Sequence, residues 1–160
     1  MVGAREADDG DAKAINDLLC RFQQSFDEKD WDMMRDCLAD RLYTDYSSFR
    51  DVLAAEMDGD RYVAQRKAAL GHLAMQHNFL NLRVTVIGAA ARARCNYVIH
   101  RFLLNGGPDD YFHSYGTYHF GFERAGGSWV INHITQTLLK NIGDPEIHGA
   151  TRTENNAREI

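Results

Sequence analysis

The N-terminal part of the chain carries apolar residues at helical spacing. They fall within about 100° of one another on a helical wheel and predict an amphipathic helix that begins at Asp11. The members of this stripe are Ile15, Leu18, Leu19, Phe22 and Phe26. Two further helices are predicted over residues 31–38 and 60–70.

Beyond Gly71 the pattern changes to an alternation of apolar and polar residues, which is typical of half-buried strands. Strands are predicted over residues 80–87, 91–104, 111–124 and 128–139, with a shorter one over residues 42–46. Glycine-rich turns at 105–110 and 125–127 separate the last three of these strands. Helices followed by a bent antiparallel meander predict an α+β fold.

The strand predicted over residues 111–124 has two unequal faces. The more apolar face is predicted to point inward, and it consists of Phe112, Ser114, Gly116, Tyr118, Phe120 and Phe122. Small residues between aromatic ones on a concave face favour a cavity, whereas a packed sheet with Gly116 at a bulge is the alternative. The pattern alone does not decide between these two arrangements.

The opposite face of the same strand is predicted to lie on the outside of the sheet. Its members are Tyr111, His113, Tyr115, Thr117 and His119. Together with Trp129, the two tyrosines suggest a contact in a homo-oligomer, either a dimer or a trimer. We interpret the histidines of this region, His113, His119 and His133, as surface or interface residues.

Composition narrows the class of protein. The 160 residues, 44% apolar and 26% charged, predict a single domain over residues 11–142, a flexible N-terminus at 1–10 and a polar tail at 143–160. The net charge of −5 and the lack of a basic block disfavour nucleic-acid and anionic-membrane partners. No stretch approaches the ~18 apolar residues of a membrane helix. Because the acidic N-terminus lacks an apolar signal core, we expect a cytoplasmic protein.

The sequence contains none of the common motifs for cofactors. It has no H-E-x-x-H or C-x-x-C spacing for a metal, no glycine-rich phosphate loop after a strand, and no G-x-S-x-G nucleophile elbow. We therefore expect a protein that uses no metal and no cofactor.

Three short segments carry a resemblance to a known family. They are S-F-D-E-K-D-W-D over residues 25–32, D-Y-S-S-F over residues 45–49 and Q-H at residues 76–77. Together they resemble scytalone dehydratase, a cofactor-free enzyme of the NTF2-like superfamily, and the SnoaL-like group of that superfamily. The resemblance implies an α+β cone, or cystatin-like roll, in which N-terminal helices pack against a curved antiparallel sheet that encloses a ligand pocket.

The same resemblance implies the catalytic residues. His77 and His100 match the two histidines that move protons, and Asp27 matches the aspartate that orients one of them. Tyr46 matches one of two tyrosines that polarise the substrate carbonyl through a water. Imidazole suits this chemistry because it titrates near neutral pH. The two-histidine mechanism requires His77 and His100 to face one cavity, since one substrate has to touch both.

Other positions depart from the family pattern and are expected to bind the substrate. Phe26 stands where the family has its other tyrosine, Gly116 where it has a serine, and Tyr118 where it has an asparagine. Phe49 and Val98 complete the predicted pocket wall. The proton-transfer residues are thus retained, while the residues for carbonyl polarisation and substrate recognition are altered.

These residues favour a cofactor-independent dehydratase that acts on a cyclic hydroxy-ketone or a similar polyketide-like molecule. The expected ligand is a small apolar or aromatic-like carbonyl compound. The altered positions support an alternative from another class, a non-catalytic protein that binds a small molecule. An isomerase or a cyclase that uses the same proton-transfer residues is a third possibility.

Overall fold

The computed structural model describes residues 9–148, with side chains from residue 10 onward. The flexible N-terminus predicted over residues 1–10 and the polar tail predicted over residues 143–160 therefore lie mostly outside the described residues. Within the described part, residues 143–148 pack against the domain: a short 3-10 helix covers Pro145–Ile147, and both Ile147 and His148 are buried.

Three helices precede most of the sheet. They are α1 (Asp9–Asp27), α2 (Trp31–Asp36) and α3 (Gly59–Leu70). Helix α1 buries the whole of its predicted apolar stripe, and it ends where Lys29 adopts a left-handed φ of 57°. Within residues 9–148, no helix is both long and apolar enough to cross a membrane.

Six strands form one curved mixed sheet. They are β1 (Leu38–Asp45), β2 (Ala55–Asp58), β3 (Leu73–Ile87), β4 (Ala90–Leu103), β5 (Phe112–Ala125) and β6 (Ser128–Gly143). The strand order is β2-β1-β6-β5-β4-β3. The predicted α+β architecture and the antiparallel meander of β3 to β6 are confirmed. The sheet is not wholly antiparallel, because β1 pairs in parallel with β6.

Strand β3 begins at Leu73 and not at residue 80 as predicted. A bulge between Leu80 and Arg83, with Asn81 at a left-handed φ of 56°, shifts the alternation by one residue. Before the bulge, the inward positions include Met75 and His77. The alternation of apolar and polar residues that predicts this strand is clear only after the bulge, so the first part of β3 is missing from the prediction.

The inward face of β5 is confirmed, because every one of its aromatic members is buried. Gly116 fits the second of the two predicted arrangements, a packed sheet with a bulge at this glycine. The β5–β6 register shifts between Tyr115 and Gly116, and a Cβ at Gly116 would lie 2.8 Å from the ring of Tyr97 and against the carbonyl oxygen of Thr137. Only glycine lets these groups approach so closely, so the ring of Tyr97 fills the space at the Cβ position of Gly116. Gly116 also borders a cavity of about 280 Å³ together with Asn96, Thr117 and Thr137.

Trp129 does not belong to an outer contact surface as predicted. Its side chain is 5% exposed, its Nε1 donates a hydrogen bond of 3.0 Å to Asp11, and the guanidinium of Arg124 packs 4.2 Å from its ring. The indole therefore joins α1 to the β5–β6 hairpin within one chain. Tyr111 and Tyr115 are partly exposed, and an oligomer contact at their face stays a prediction.

Candidate functional site

The centre of the site is a hydrogen-bonded pair between the end of α1 and the inner face of β3. His77 Nδ1 lies 2.7 Å from Asp27 Oδ1, and the backbone amide of His77 donates to both carboxylate oxygens at 3.0 Å. A carboxylate that accepts from Nδ1 holds the imidazole in one tautomer and one orientation. The contact predicted between Asp27 and a histidine is therefore present, and the histidine is His77.

The position of β3 explains why this contact forms. Strand β3 is at the edge of the sheet, so alternate amides on its free side have no partner strand. Two side chains of α1 accept from them: Asp27 from His77, and the Gln23 side-chain oxygen from Phe79 at 2.8 Å. Because these acceptors are four residues apart, they lie on one face of the helix. The helix thus covers the sheet edge with Gln23 and Asp27, and Asp27 also orients the imidazole.

The imidazole of His77 is buried, with 4% of its side chain exposed. The ring of Phe26 stacks on it at 4.5 Å between centroids, with 26° between the planes. Burial lowers the pKa of His77 below its ordinary value of 6.5, although the hydrogen bond to Asp27 opposes this shift. The ring is therefore neutral near pH 7, and its Nε2 has no hydrogen-bond partner among the described residues.

His100 does not share this site, and the prediction that it faces the same cavity is wrong. The inner positions of β4 are Tyr97, Ile99 and Arg101, all of them buried, so the side chains of Val98 and His100 point to the outer face. There His100 packs against His113 at 4.6 Å between ring centroids. Val98 consequently does not line an interior pocket either, and the two-histidine mechanism is excluded.

Arg101 takes the interior position that the prediction gave to His100. In the register of β3 and β4, His77 pairs with Ile99 and Met75 pairs with Arg101, so Arg101 is a diagonal neighbour of His77 on the inner face. Its guanidinium donates to the hydroxyl of Ser114. Burial lowers the pKa of Arg101 to about 10, which still leaves the group charged at neutral pH.

Tyr46 follows the end of β1 and pairs with a residue that the resemblance did not indicate. Its hydroxyl lies 2.7 Å from the hydroxyl of Tyr62, which belongs to α3. Burial raises the pKa of Tyr62 well above 10, so this phenol stays protonated. The two hydroxyls form a hydrogen-bonded pair between the end of β1 and α3.

A cavity of about 440 Å³ lies beside this tyrosine pair, between β1, β2 and α3. That volume suits a small organic ligand. Among its lining residues are Tyr46, Arg50, Met57, Tyr62, Arg66 and Ala69. His77 does not line this cavity. Ring contacts lead from Tyr62 to Phe22 at 6.5 Å, from Phe22 to Phe26 at 5.2 Å and from Phe26 to His77 at 4.5 Å between centroids.

Two other predicted pocket residues lie in the interior. Phe49 packs on Phe112 at 6.2 Å between centroids. Tyr118 is buried, and its ring lies 4.8 Å from that of Tyr97 and 5.2 Å from that of Phe79. Burial raises the pKa of Tyr118 well above 10, so its hydroxyl also stays protonated.

The family of this chain follows from a match over most of its length. The SnoaL-like domain matches residues 10–135. The chain belongs to the SnoaL-like family. In the part of this SnoaL-like protein that the structure describes, no group of three or more His, Cys, Asp or Glu side chains is arranged to hold a metal ion.

Curated relatives of this SnoaL-like chain include two fungal enzymes. It is 37% identical over 71 residues to scytalone dehydratase from Colletotrichum orbiculare, a match that covers 42% of this chain and 38% of the enzyme. It is 36% identical over 73 residues to scytalone dehydratase PfmaJ from Pestalotiopsis fici, covering 44% of this chain and 38% of that enzyme. The chain thus spans about two fifths of the length of the curated relatives that it matches.

Solved structures similar to this SnoaL-like protein confirm the fold. The Kfla4162 protein from Kribbella flavida matches with a TM-score of 0.78 at 22% identity, over 83% of this chain and 93% of that one. An NTF2-like protein with a cystatin-like fold from Novosphingobium aromaticivorans gives 0.65 at 19% identity, over 86% of both chains. A type 2 hexachlorocyclohexane dehydrochlorinase gives 0.70 at 14% identity, over 87% and 92%. At these identities the likeness shows the fold alone.

Proposed function

We propose that this protein is a cofactor-independent lyase that removes water from a small cyclic hydroxy-ketone. The observation that carries the proposal is the buried, neutral His77 with Nδ1 held by Asp27 and Nε2 unpaired among the described residues. A general base has to be unprotonated and correctly oriented before the substrate arrives, and this pair meets both conditions. Scytalone dehydratase among the curated relatives supports an elimination reaction.

In the proposed reaction His77 acts twice. Its Nε2 takes the proton from the carbon next to the carbonyl, which leaves an enolate and a charged imidazolium stabilised by Asp27. The enolate then expels the hydroxyl group on the neighbouring carbon, and Nε2 returns the proton to it, so that water leaves and a conjugated ketone remains. One histidine is sufficient when the proton and the hydroxyl leave from the same face of the substrate.

Protonated phenols in the interior supply the hydrogen bonds to the carbonyl. The hydroxyl pair of Tyr46 and Tyr62 donates toward the carbonyl oxygen through a water, as the resemblance implies for Tyr46. Because burial keeps the phenol of Tyr62 protonated, Tyr62 can donate in the enolate state without losing a proton to it. Phe26, on the imidazole itself, offers no such donor.

A second candidate function is non-catalytic binding of a small molecule, and one specific observation favours it. The cavity of about 440 Å³ is not lined by His77. Turnover therefore requires the substrate to contact an imidazole that lies outside the cavity lining, whereas binding in the cavity has no such requirement.

A dehydration assay separates the two functions. Wild type, His77→Ala and His100→Ala are incubated with scytalone and related cyclic hydroxy-ketones, and the absorbance of the product is followed. We expect slow turnover by wild type, none by His77→Ala, and the wild-type rate for His100→Ala, because that ring is on the outer face. Turnover that survives His77→Ala contradicts the proposed base. Binding of these ketones without turnover by wild type supports the binding protein.

The substitution Phe26→Tyr sharpens the assay, because tyrosine adds one donor next to the proton-transfer group. A donor to a developing oxyanion is worth roughly a hundredfold in rate, and we expect a gain of roughly tenfold to a hundredfold. Circular dichroism of each variant checks that it folds. If Phe26→Tyr instead slows a fast wild-type enzyme, the site is adapted to a different substrate, and Tyr118 becomes the better candidate for the donor.

A further inference from the structure

Three arginines whose positions have no catalytic role in the family resemblance come together in the interior. Arg50 and Arg66 both pack on the ring of Tyr46, with guanidinium carbons 5.7 and 5.2 Å from its centroid. Arg50 and Arg101 both pack on the ring of Phe49, at 5.4 and 5.6 Å. We call these three residues the arginine cluster. Arg50 and Arg66 line the cavity of about 440 Å³.

The arginine cluster is not ion-paired within residues 10–148; Glu56, a carboxylate that also lines the cavity, pairs with Arg41. None of its members forms an ion pair with a carboxylate of those residues, and the Nε atom of each is buried without a hydrogen-bond partner. Arg101 donates to the Ser114 hydroxyl, and Arg50 donates to the Nε2 of His148 at 3.2 Å. Arg66 is 8% exposed and makes no hydrogen bond with a described residue.

Such a cluster is unfavourable unless an anion joins it. A buried cation without a partner loses its hydration, and like charges nearby add repulsion. Both effects act here: burial, followed by repulsion from Arg66, lowers the pKa of Arg50 to about 9. Tyrosine rings stacked on the guanidiniums give partial compensation, but no more than a fraction of a full counter-charge.

We propose that the arginine cluster is the binding site for the carboxylate group of a small cyclic or aromatic acid. The planar guanidinium matches a carboxylate in a two-point hydrogen bond. Tyr46, Phe49 and Tyr62 surround the cluster with apolar ring surface, which suits the body of a cyclic molecule better than a free inorganic anion. The cavity has room for such a ligand beside Arg66.

This proposal rests on the proposed function in one respect only: it adds a carboxylate to the expected hydroxy-ketone substrate. Binding is measured without turnover, so the two proposals fail independently. A protein that binds the acid but never dehydrates it keeps the anion site and loses the lyase.

Isothermal titration of the full chain with benzoate and with benzamide tests the proposal, because benzamide has the same ring and shape without the charge. We expect benzoate to bind wild type at least roughly tenfold more tightly, as is typical of a charge-assisted contact. Arg66→Met should abolish that preference. The control is Lys67→Met, which removes one positive charge from the exposed side of the same helix and should leave the preference unchanged.

Three results would overturn the proposal. Equal binding of benzoate and benzamide by wild type shows that the cavity does not recognise the charge. A preference for benzoate that survives Arg66→Met shows that the arginine cluster does not provide the recognition. If inorganic phosphate binds in a way that depends on Arg66 and benzoate does not bind, the cluster is a site for a different anion.

Discussion

The interior of this SnoaL-like protein holds two ionisable sites that differ in how their charges are balanced. Asp27 and His77 satisfy each other: one carboxylate accepts three hydrogen bonds from one residue, and the imidazole is neutral. The arginine cluster has positive charge in excess, with three guanidinium Nε atoms that lack a partner within the described part of the chain. The first site is complete without a ligand, and the second is not.

The two sites have the properties required for two different tasks, proton transfer and ligand binding. A catalytic base works best when its position and protonation state are fixed in advance, at the cost of little reorganisation. A binding site, in contrast, gains affinity when its own charges are poorly satisfied until the ligand arrives. Under the proposed function, the completed pair would move protons and the incomplete cluster would select the molecule.

The largest expected effect is the loss of the paired site through Asp27→Ala. The substitution leaves the backbone amide and the Nδ1 of His77 without their acceptor and opens the edge of β3. Hydrogen bonds to a charged group contribute roughly 1.5–3 kcal/mol, so we expect the free energy of unfolding to fall by about 2 kcal/mol. Urea denaturation measures it, with exposed Glu28→Ala as the matched control. Equal stability of the two variants would contradict the structural role of Asp27.

Removal of one positive charge from the arginine cluster should change the free energy of unfolding in the opposite direction. Without ligand, Arg66→Met replaces a buried cation that has no counter-charge in the described residues by an apolar side chain of similar length. We expect the free energy of unfolding to rise by about 1 kcal/mol, since desolvation and repulsion are relieved. Urea denaturation of this variant beside Lys67→Met measures the change. A loss of stability in Arg66→Met alone would show that the protein itself balances that charge.

A smaller effect is expected in the dependence of stability on pH. Burial lowers the pKa of both His77 and His148 from 6.5, and the unfolded chain therefore takes up more protons as the pH falls. Stability is complete above about pH 6.5 and decreases as the pH falls from there toward the folded pKa values.

The two histidines should differ in their share of this decrease. Asp27 opposes the shift at His77, whereas the arginine cluster adds to the shift at His148. We expect His148→Gln to flatten the pH profile of the melting temperature between about pH 6.5 and 5 more than His77→Gln does. The reverse order would mean that Asp27 does not stabilise the charged imidazole.

One contact of the site, between Asp27 and His77, could be inferred from the sequence, and the errors elsewhere have physical causes. Asp27 and His77 came from the family resemblance, and the structure joins them. His100 was misplaced although the strand pattern contains the answer. The alternation that buries Tyr97 and Ile99 continues to Arg101, which puts His100 on the other face. The alternation along a strand determines the face of the sheet to which each side chain points. It is therefore a better guide to the position of His100 than the match of its residue type to the family pattern.

The arginine cluster could not be predicted in the same way. Arg50 follows β1, Arg66 lies on α3 and Arg101 lies on β4, so that nothing in their spacing brings them together. Surface exposure is the usual state of an arginine, and a lone one in a helical pattern carries no signal of burial. Tyr62 was missed for a similar reason, because an aromatic residue on an amphipathic helix is ordinarily a packing residue.

The double use of Asp27 has a consequence for how relatives of this chain are compared. Since this carboxylate caps the free amide of an edge strand, a chain that lost all enzymatic activity would still need an acceptor at the same place. An aspartate at this position is therefore explained by architecture alone and says little about turnover. The imidazole is different: its ring contributes nothing to closing the strand edge. In a set of related chains, the loss of the histidine with the aspartate kept would mark those that have become pure binding proteins.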